Sequence, residues 1–453
     1  MILPLPLVPF ENYMLTDDRP AYPMNMLVRL RFWGRFDRDM LASALSVAVS
    51  RHPLLTAVVH RAGRHAVWRP ADRCPAIHWL ESGPTESLPG LEPLDLRTAP
   101  GLRLTACEGS GQTDVVLQAH HACCDGMGLF AFAEDLLMAY AIARGAATAA
   151  PLRPLQPQQL RERGRISLTG PRFLKILPNP LAGLRGARRF LMRTPEPLVP
   201  HHAQGSDDRL PPDYPASLTR RLDESQTRGV LAAAKTLGVT LNDLLVRELF
   251  LTLAQWRQRH VPGRSEAWLR LCVPMSLRTG AHEGLPAANV VSMVFLDRRG
   301  RDLADPGRLL ASIRDQMQRI KRRGLGPTFV RFLGVCQRLP GVLERMCRAN
   351  RCMSTAVFTN LGVLFSRCPL ADRRGRVGMN DLVLQDMDLL PPLRPLTCAS
   401  FTAWSYAGRL CFTLHYDSRV LAANQARELI DGLVARVGQS SCCPLPAPTG
   451  PVP

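Results

Sequence analysis

The stretch that decides the fold is Gln118-Ala119-His120-His121-Ala122-Cys123-Cys124-Asp125-Gly126-Met127-Gly128. The apolar run 114–118 before it predicts a short buried strand, and the pattern from 127 to 143 predicts a helix after it. We therefore expect the histidine pair to lie on the loop that connects this strand to this helix.

These residue types suit proton transfer. Imidazole has the side-chain pKa nearest neutrality, so a fixed histidine can accept a proton and return it within one turnover. Asp125 follows four residues after His121 and can hold the loop by bonding elsewhere in the protein. Gly126 and Gly128 are expected to let the backbone turn tightly.

The four residues His120, His121, Asp125 and Gly126 resemble the His-His-x-x-x-Asp-Gly signature of the chloramphenicol-acetyltransferase-like superfamily. That superfamily includes nonribosomal peptide condensation domains, wax-ester synthases and alcohol acetyltransferases. The resemblance implies that His121 is the general base and that His120 positions it. It also implies that Asp125 is structural and pairs with an arginine.

Phrases in both halves of the chain resemble the same superfamily. They are Arg51 to Leu55, Pro93 to Leu104, and Gly238-Val-Thr-Leu-Asn-Asp-Leu-Leu245. In the last of these, Thr240 and Asp243 also form a capping-box pattern that predicts a helix start. The resemblance runs from about residue 20 to about residue 438.

Local signals predict elements at the start of the chain. Val28, Leu30 and Phe32 alternate with Arg29 and Arg31, which is the period of a half-exposed strand. Asp37 is expected to cap a helix that ends at Arg51-His52-Pro53, and a strand is expected from Leu54 to Val59. His52 lies at the helix end and is expected to be structural.

Two further phrases supply candidate site residues. Met275-Ser276-Leu277-Arg278 makes Arg278 the candidate partner of Asp125, although an exposed arginine without a bond is the alternative. Thr359-Asn360-Leu361-Gly362 resembles a turn at the superfamily's cleft, where the Asn360 amide is a candidate donor to a developing oxyanion. A turn residue that bonds its own backbone is the other interpretation.

The resemblance implies an α/β fold of two α+β lobes in a V, with His121 near the middle of a substrate tunnel. We expect an N-terminal lobe at 1–150, a basic proline-rich linker at 151–210 and a C-terminal lobe at 211–440. Residues 441–453 are rich in proline and are expected to be disordered.

The chain is strongly basic, with a formal charge of +19. Charge of this size attracts polyanions, which include nucleic acid, anionic lipid, coenzyme A and acidic carrier proteins, and charge alone does not choose among them. Segment 161–193 holds nine Arg or Lys and one acid among apolar residues. This pattern fits a peripheral anionic membrane surface or a solvated linker equally well.

Localisation is expected to be cytoplasmic, with the inner membrane surface as the place of any peripheral contact. No uncharged apolar stretch of about 18 residues predicts a membrane span. The apolar residues 1–10 lack a basic flank and do not form a convincing signal peptide. The 13 scattered cysteines fit reduced thiols better than a disulfide framework.

A metal site is an alternative, because His120, His121, Cys123, Cys124 and Asp125 are all possible ligands. Adjacent histidines rarely reach one ion together, and no distant pair at ligand spacing completes a set, so no metal is expected. A catalytically silent scaffold is a further alternative, against which the intact motif argues.

The function we expect is acyl transfer from a thioester to an alcohol or amine acceptor. Acyl-coenzyme A is the expected donor, as a co-substrate rather than a bound cofactor. The alternative is a condensation-type enzyme that takes its donor from an acidic acyl carrier protein. No nucleic acid is expected as a partner.

Overall fold

The computed structural model describes residues 2–62, 65–81, 83, 88–145, 150–164, 190, 192–200, 209–263, 266–349 and 351–440. Two six-stranded sheets organise this part of the chain, and a three-stranded sheet accompanies the first of them. Each large sheet packs one face against helices, so each forms its own hydrophobic core.

The first large sheet holds the motif strand near its centre. Its strands are β2 (Asn25–Trp33), β5 (Ile77–Leu80), β6 (Leu102–Gly109), β7 (Gln112–His120), β12 (Gly378–Met379) and β13 (Leu382–Leu390), in the order β12-β13-β2-β7-β6-β5. Val28, Leu30 and Phe32 are buried on one face of β2, as their alternation predicted. The other face is not exposed as expected, because Leu27 and Arg29 on it are buried as well. The register of β2 and β7 puts Asn25 opposite His120.

The helices of this lobe are α1 (Pro9–Asp17), α2 (Arg38–Arg51) and α3 (Gly126–Ala143). Asp37 caps α2 as expected, because its carboxylate accepts the Met40 N–H at 2.9 Å. The small sheet is built from β1 (Leu5–Pro6), β3 (Ala57–Ala62) and β4 (His65–Pro70). The strand expected from residue 54 thus begins at Ala57, after a turn.

Helix α3 is apolar enough by length and composition to cross a membrane, with a mean hydropathy of 1.4 over 18 residues. However, 67% of it is buried inside the protein, and it packs along α2. Its apolar surface is therefore that of a core helix. Glu134 and Asp135 interrupt the run, so it was not expected to be a membrane span.

The second large sheet has the strand order β10-β9-β11-β14-β15-β8. Its strands are β8 (Ser217–Arg221), β9 (Leu269–Ser276), β10 (Val291–Arg298), β11 (Ala356–Val363), β14 (Ala399–Tyr406) and β15 (Arg409–Tyr416). The helices of this half are α4 (Glu224–Thr236), α5 (Leu241–His260), α6 (Gly300–Leu303), α7 (Pro306–Arg322), α8 (Thr328–Arg338), α9 (Val342–Arg348) and α10 (Ala423–Ser440). α4 and α5 together also pass the length and composition test for a membrane span, but they meet at a bend of 102°.

The predicted capping box begins α5, where the Thr240 hydroxyl accepts the Asp243 N–H at 3.2 Å and the Asp243 carboxylate accepts the Thr240 N–H at 3.1 Å. The two six-stranded sheets, each with its own helices and hydrophobic core, confirm the two-lobed α/β architecture predicted from the sequence.

One connection was not expected. Strands β12 and β13 come from the second half of the sequence but complete the first sheet, where β13 pairs with β2 along seven register positions. Arg29 on β2 donates to Asp388 on β13 at 2.7 Å, and both side chains are buried. The boundaries at 150 and 210 stay predictions. Most of segment 161–193, and the tail 441–453, lie outside the described residues.

Candidate active site

The two motif histidines occupy different elements. His120 is the last residue of β7, and His121 is the first residue after it, so the expectation that both lie on the loop was wrong for His120. The ladder of β2 and β7 continues one residue further, because the His121 N–H donates to the Met24 carbonyl at 2.7 Å. The backbone of His121 is thereby fixed at the end of a central strand.

The His121 side chain is partly buried. The ring of Phe10 on α1 meets it edge to face, with ring centroids 5.7 Å apart. Its Nδ1 is buried near the carbonyl groups of His121 and Cys124, although no described residue forms a well-directed hydrogen bond to that atom. Nε2 is therefore the nitrogen available to a substrate.

The pKa of His121 lies below its usual value. Burial disfavours the imidazolium and outweighs the nearby backbone carbonyls and the Asp125 charge, which act in the opposite direction. His121 is therefore neutral near pH 7, which is the form a general base needs.

His120 is fully buried, and its tautomer follows from its contacts. Nδ1 accepts the backbone N–H of Ala122 at 3.1 Å, so it carries no proton, and the neutral ring must be protonated on Nε2. Nε2 faces the Asp18 carboxylate at 3.6 Å. His120 thus shapes the turn that presents His121.

The structure brings Asp125 and Arg278 together. Asp125 is buried, and its Oδ2 accepts from Arg278 Nη1 at 2.6 Å and from the Val290 N–H at 2.9 Å. Its Oδ1 accepts the Gly128 N–H at 2.9 Å and so caps α3. Burial acts to raise the pKa of Asp125, but the Arg278 charge and these hydrogen bonds outweigh it and leave the pKa lowered.

Residues 287–290, here called the bridging segment, connect the second lobe to the motif. The Asn289 side-chain amide donates to the carbonyls of both His121 and Ala122 at 2.9 Å. The Ala288 carbonyl accepts from Arg278 at 3.0 Å. The segment thus holds the backbone on both sides of the His121–Ala122 peptide bond.

The bridging segment also explains His52. Its Nδ1 accepts the Ala287 N–H at 2.8 Å, and its Nε2 pairs with Asp135 at 3.1 Å. Burial lowers the pKa of His52, although the hydrogen bond to Asp135 acts to raise it. The residue is structural as expected, but it supports the bridging segment as well as a helix end. Sequence reasoning missed Asn289, because nothing near it in the chain marks a contact 168 residues away.

The glycines of the motif act differently from the prediction. Neither Gly126 nor Gly128 has a positive φ, so neither is needed for a tight turn. A Cβ at Gly128 would instead lie 3.1 Å from the backbone N and O of Ala288, and one at Gly126 would lie 3.2 Å from Leu361 Cδ2. The glycines allow the second lobe to approach the start of α3 closely.

Asn360 lies on β11, next to Leu361, which contacts Gly126. Its phrase therefore lies near the motif in space. The Asn360 Oδ1 accepts the Gly362 N–H at 3.0 Å, which is the local backbone bond that was weighed against an oxyanion role. Its assignment as an oxyanion donor stays a prediction.

Cys123 and Cys124 are fully buried, and burial raises the pKa of both thiols, so both are protonated at neutral pH. Among the residues that the structure describes, no group of three or more His, Cys, Asp or Glu side chains is placed to hold a metal ion.

A cavity of about 1150 Å³ lies beside β10, α7 and α8. Its walls include the apolar side chains Phe190, Trp268, Phe295, Phe329 and Phe332. Arginines also line the cavity. Three of them, Arg301, Arg319 and Arg323, form no ion pair with any residue in the described ranges. His121 is not among the residues that line it.

Aromatic contacts connect the cavity wall with the motif. Phe329 meets Tyr13 with centroids 5.6 Å apart, Tyr13 meets Phe10 at 6.1 Å, and Phe10 meets His121. Two side chains, those of Tyr13 and Phe10, therefore separate the cavity wall from the candidate base.

The fold is similar to that of condensation domains of known structure. The first condensation domain of the CDA synthetase superposes with a TM-score of 0.70 at 15% identity, over 98% of this chain and 97% of that chain. Polyketide synthase associated protein 5 from Mycobacterium tuberculosis superposes with a TM-score of 0.63 at 14% identity, over 96% and 98%. The third-module epimerization domain of tyrocidine synthetase B gives 0.66 at 13% identity, over 97% and 96%.

Sequence relatives are also found among curated proteins. The uncharacterized protein Rv2305 of Mycobacterium tuberculosis strain H37Rv is 26% identical over 377 residues, which are 79% of this chain and 83% of that protein. Its counterpart MT2362 in strain CDC 1551 matches equally. No family model matches the chain. The resemblance inferred from the motif is confirmed in the fold.

Proposed function

We propose that this protein is an acyltransferase that moves an acyl group from a thioester to a hydroxyl or amine, with His121 as the general base. The observation that carries the proposal is the state of His121. Its side chain is only partly buried, burial lowers its pKa and so favours the neutral form that a base needs, and its backbone is held by Met24 and Asn289.

The reaction follows from this geometry. Nε2 of neutral His121 takes the proton from the acceptor hydroxyl or amine as its oxygen or nitrogen attacks the thioester carbonyl. The tetrahedral intermediate then collapses, its carbon–sulfur bond breaks, and the leaving thiolate takes the proton from the His121 imidazolium. An ester or amide and a free thiol result, and the base returns to its neutral form.

The donor is a thioester of phosphopantetheine, presented either by coenzyme A or by an acyl carrier protein. The cavity beside α7 supports a phosphorylated donor. Its apolar walls suit an organic arm, and Arg301, Arg319 and Arg323, which form no ion pair with a described residue, suit a phosphate. The relatives with the same fold include condensation domains of a synthetase. Both donors suit the +19 chain, so both belong in the assay.

The test is a thiol-release assay with acyl-coenzyme A and acyl carrier protein donors in parallel, against pooled alcohols and amines. Replacing the base, His121→Ala, removes a step that contributes about 100-fold or more, and the fold should persist. His78→Ala is the matched control, because His78 is exposed on β5. Activity above about a tenth of wild type in His121→Ala would contradict the assignment of the base.

A further inference from the structure

Asp18 lies where three elements around His121 meet. Its backbone N–H donates to the Met14 carbonyl at 3.1 Å and so caps α1, the helix that carries Phe10. Its Oδ1 accepts the Met24 N–H at 2.8 Å, just before β2. Its Oδ2 lies 3.6 Å from His120 Nε2, at the end of β7. One residue thus contacts all three elements.

Polar side chains at this end of the β2–β7 ladder lack hydrogen-bond partners among the described residues. His120 Nε2 is buried, carries a proton, and has no hydrogen-bond partner in the part of the chain that the structure describes. Asn25, opposite His120 in the ladder, is fully buried, and both polar atoms of its side chain lack partners among the same residues. A buried donor without a partner destabilises the folded state. The Asp18 carboxylate lies 3.6 Å from this N–H and satisfies it if the gap closes.

We propose that Asp18 is a positioning residue for the candidate base His121, an inference that rests on the proposed function. Catalytic hydrogen bonds are commonly long without substrate and tighten in the complex, and the contact between Asp18 and His120 is of this kind. When this contact tightens, Oδ2 accepts the His120 Nε2–H and so stabilises, together with the Ala122 N–H on Nδ1, the tautomer that shapes the turn at His121. Its Oδ1 holds Met24, whose carbonyl accepts the His121 N–H.

The neighbouring Asp17 supplies a matched control. It is fully buried and forms an ion pair with Arg394, whose Nη2 donates to it at 3.0 Å. Its ion pairs are with Arg19 and Arg394, and neither residue belongs to the motif. The two adjacent acids therefore separate two roles: Asp17 joins α1 to the second half of the chain, whereas Asp18 faces the histidine pair with 27% of its side chain exposed.

The variants Asp18→Asn and Asp17→Asn test the inference. The amide oxygen of Asp18→Asn still accepts the Met24 N–H, but the amide NH₂ then faces His120 Nε2, so both the negative charge and the acceptor beside His120 are lost. We expect kcat to fall roughly tenfold to a hundredfold with KM within about twofold of wild type, since misplacing a catalytic group by about 1 Å costs this much. Asp17→Asn should lower the free energy of unfolding and keep the kcat of the folded protein.

A second measurement does not need activity. Histidine nitrogen chemical shifts report the tautomer, and we expect His120 to be protonated on Nε2 in wild type and to show mixed tautomers in Asp18→Asn. An unchanged His120 tautomer in that variant would overturn the inference, and so would a kcat loss no larger than that of Asp17→Asn. A wild-type protein that transfers no acyl group refutes the proposed function instead, and the tautomer measurement still decides the role of Asp18.

Discussion

The contact between Asp125 and Arg278 gives the sharpest prediction, because the structure isolates what each substitution removes. In Asp125→Asn the amide oxygen can still accept the Gly128 N–H, but the amide NH₂ then faces two donors, Val290 N–H and Arg278. Removing one partner of a buried pair costs about 3–5 kcal/mol. The Arg278 side chain is 23% exposed, so we expect the lower part of that range, roughly 3 kcal/mol.

The double change, Asp125→Asn with Arg278→Met, removes the unpaired cation as well as the carboxylate. It should cost little more than the worse single change, with a coupling energy of roughly 1–3 kcal/mol. Urea unfolding of wild type, the two single variants and the double variant measures this coupling energy in stability. The thiol-release assay on the same four proteins measures the coupling in activity. Asp305 and Arg308 form the matched control, an exposed pair 3.3 Å apart whose coupling should be below about 1 kcal/mol.

The same pair predicts a pH dependence. Because the pKa of Asp125 is lowered in the folded protein, its stabilisation is present above the unfolded-state pKa and is lost as the pH falls through the folded-state pKa. The difference in unfolding free energy between wild type and Asp125→Asn should therefore shrink below about pH 4. Losses that simply add in the double variant, at every pH, would refute the argument that the two residues act as one unit.

Two further predictions concern the loop and the base. Gly128→Ala puts a Cβ 3.1 Å from the Ala288 backbone and should lower both the melting temperature and the activity. Gly126→Ala meets only the Leu361 side chain and should have a smaller effect; equal effects of the two variants would contradict the close approach of the two backbones. The lowered pKa of His121 predicts that kcat/KM rises with pH through an apparent pKa below about 6.5 and is level at neutral pH; a rise centred above 7 would contradict it.

Local signals in the sequence were enough for the elements that carry the motif. The apolar run before His120, the Asp37 cap and the capping box at Thr240 each depend on residues within one or two helical turns, and each formed as predicted. The choice of Arg278 as the partner of Asp125 came from the family resemblance alone. The two residues meet across 153 positions of sequence, a distance over which no local pattern acts.

What the sequence did not reveal lies in the contacts between lobes. Asn289 has no pattern around it that marks a donor to the His121 carbonyl. The role of Gly128 was misjudged, because a glycine that admits a neighbouring backbone looks the same in sequence as one that adopts a positive φ. Asp18 was overlooked for a similar reason, since its three contacts exist only after α1, β2 and β7 have assembled.

The placement of β12 and β13 in the first sheet has a consequence for biosynthesis. A ribosome delivers β2 and β7 long before residue 390, so the hydrogen-bonding edge of β2 that β13 will occupy stays open while more than half of the chain is still being made. Arg29 likewise cannot bind Asp388, its partner across that edge, until β13 has been synthesised. The first lobe therefore reaches its native sheet only after most of the second has emerged, and during that interval the open edge of β2 can pair with the wrong strand.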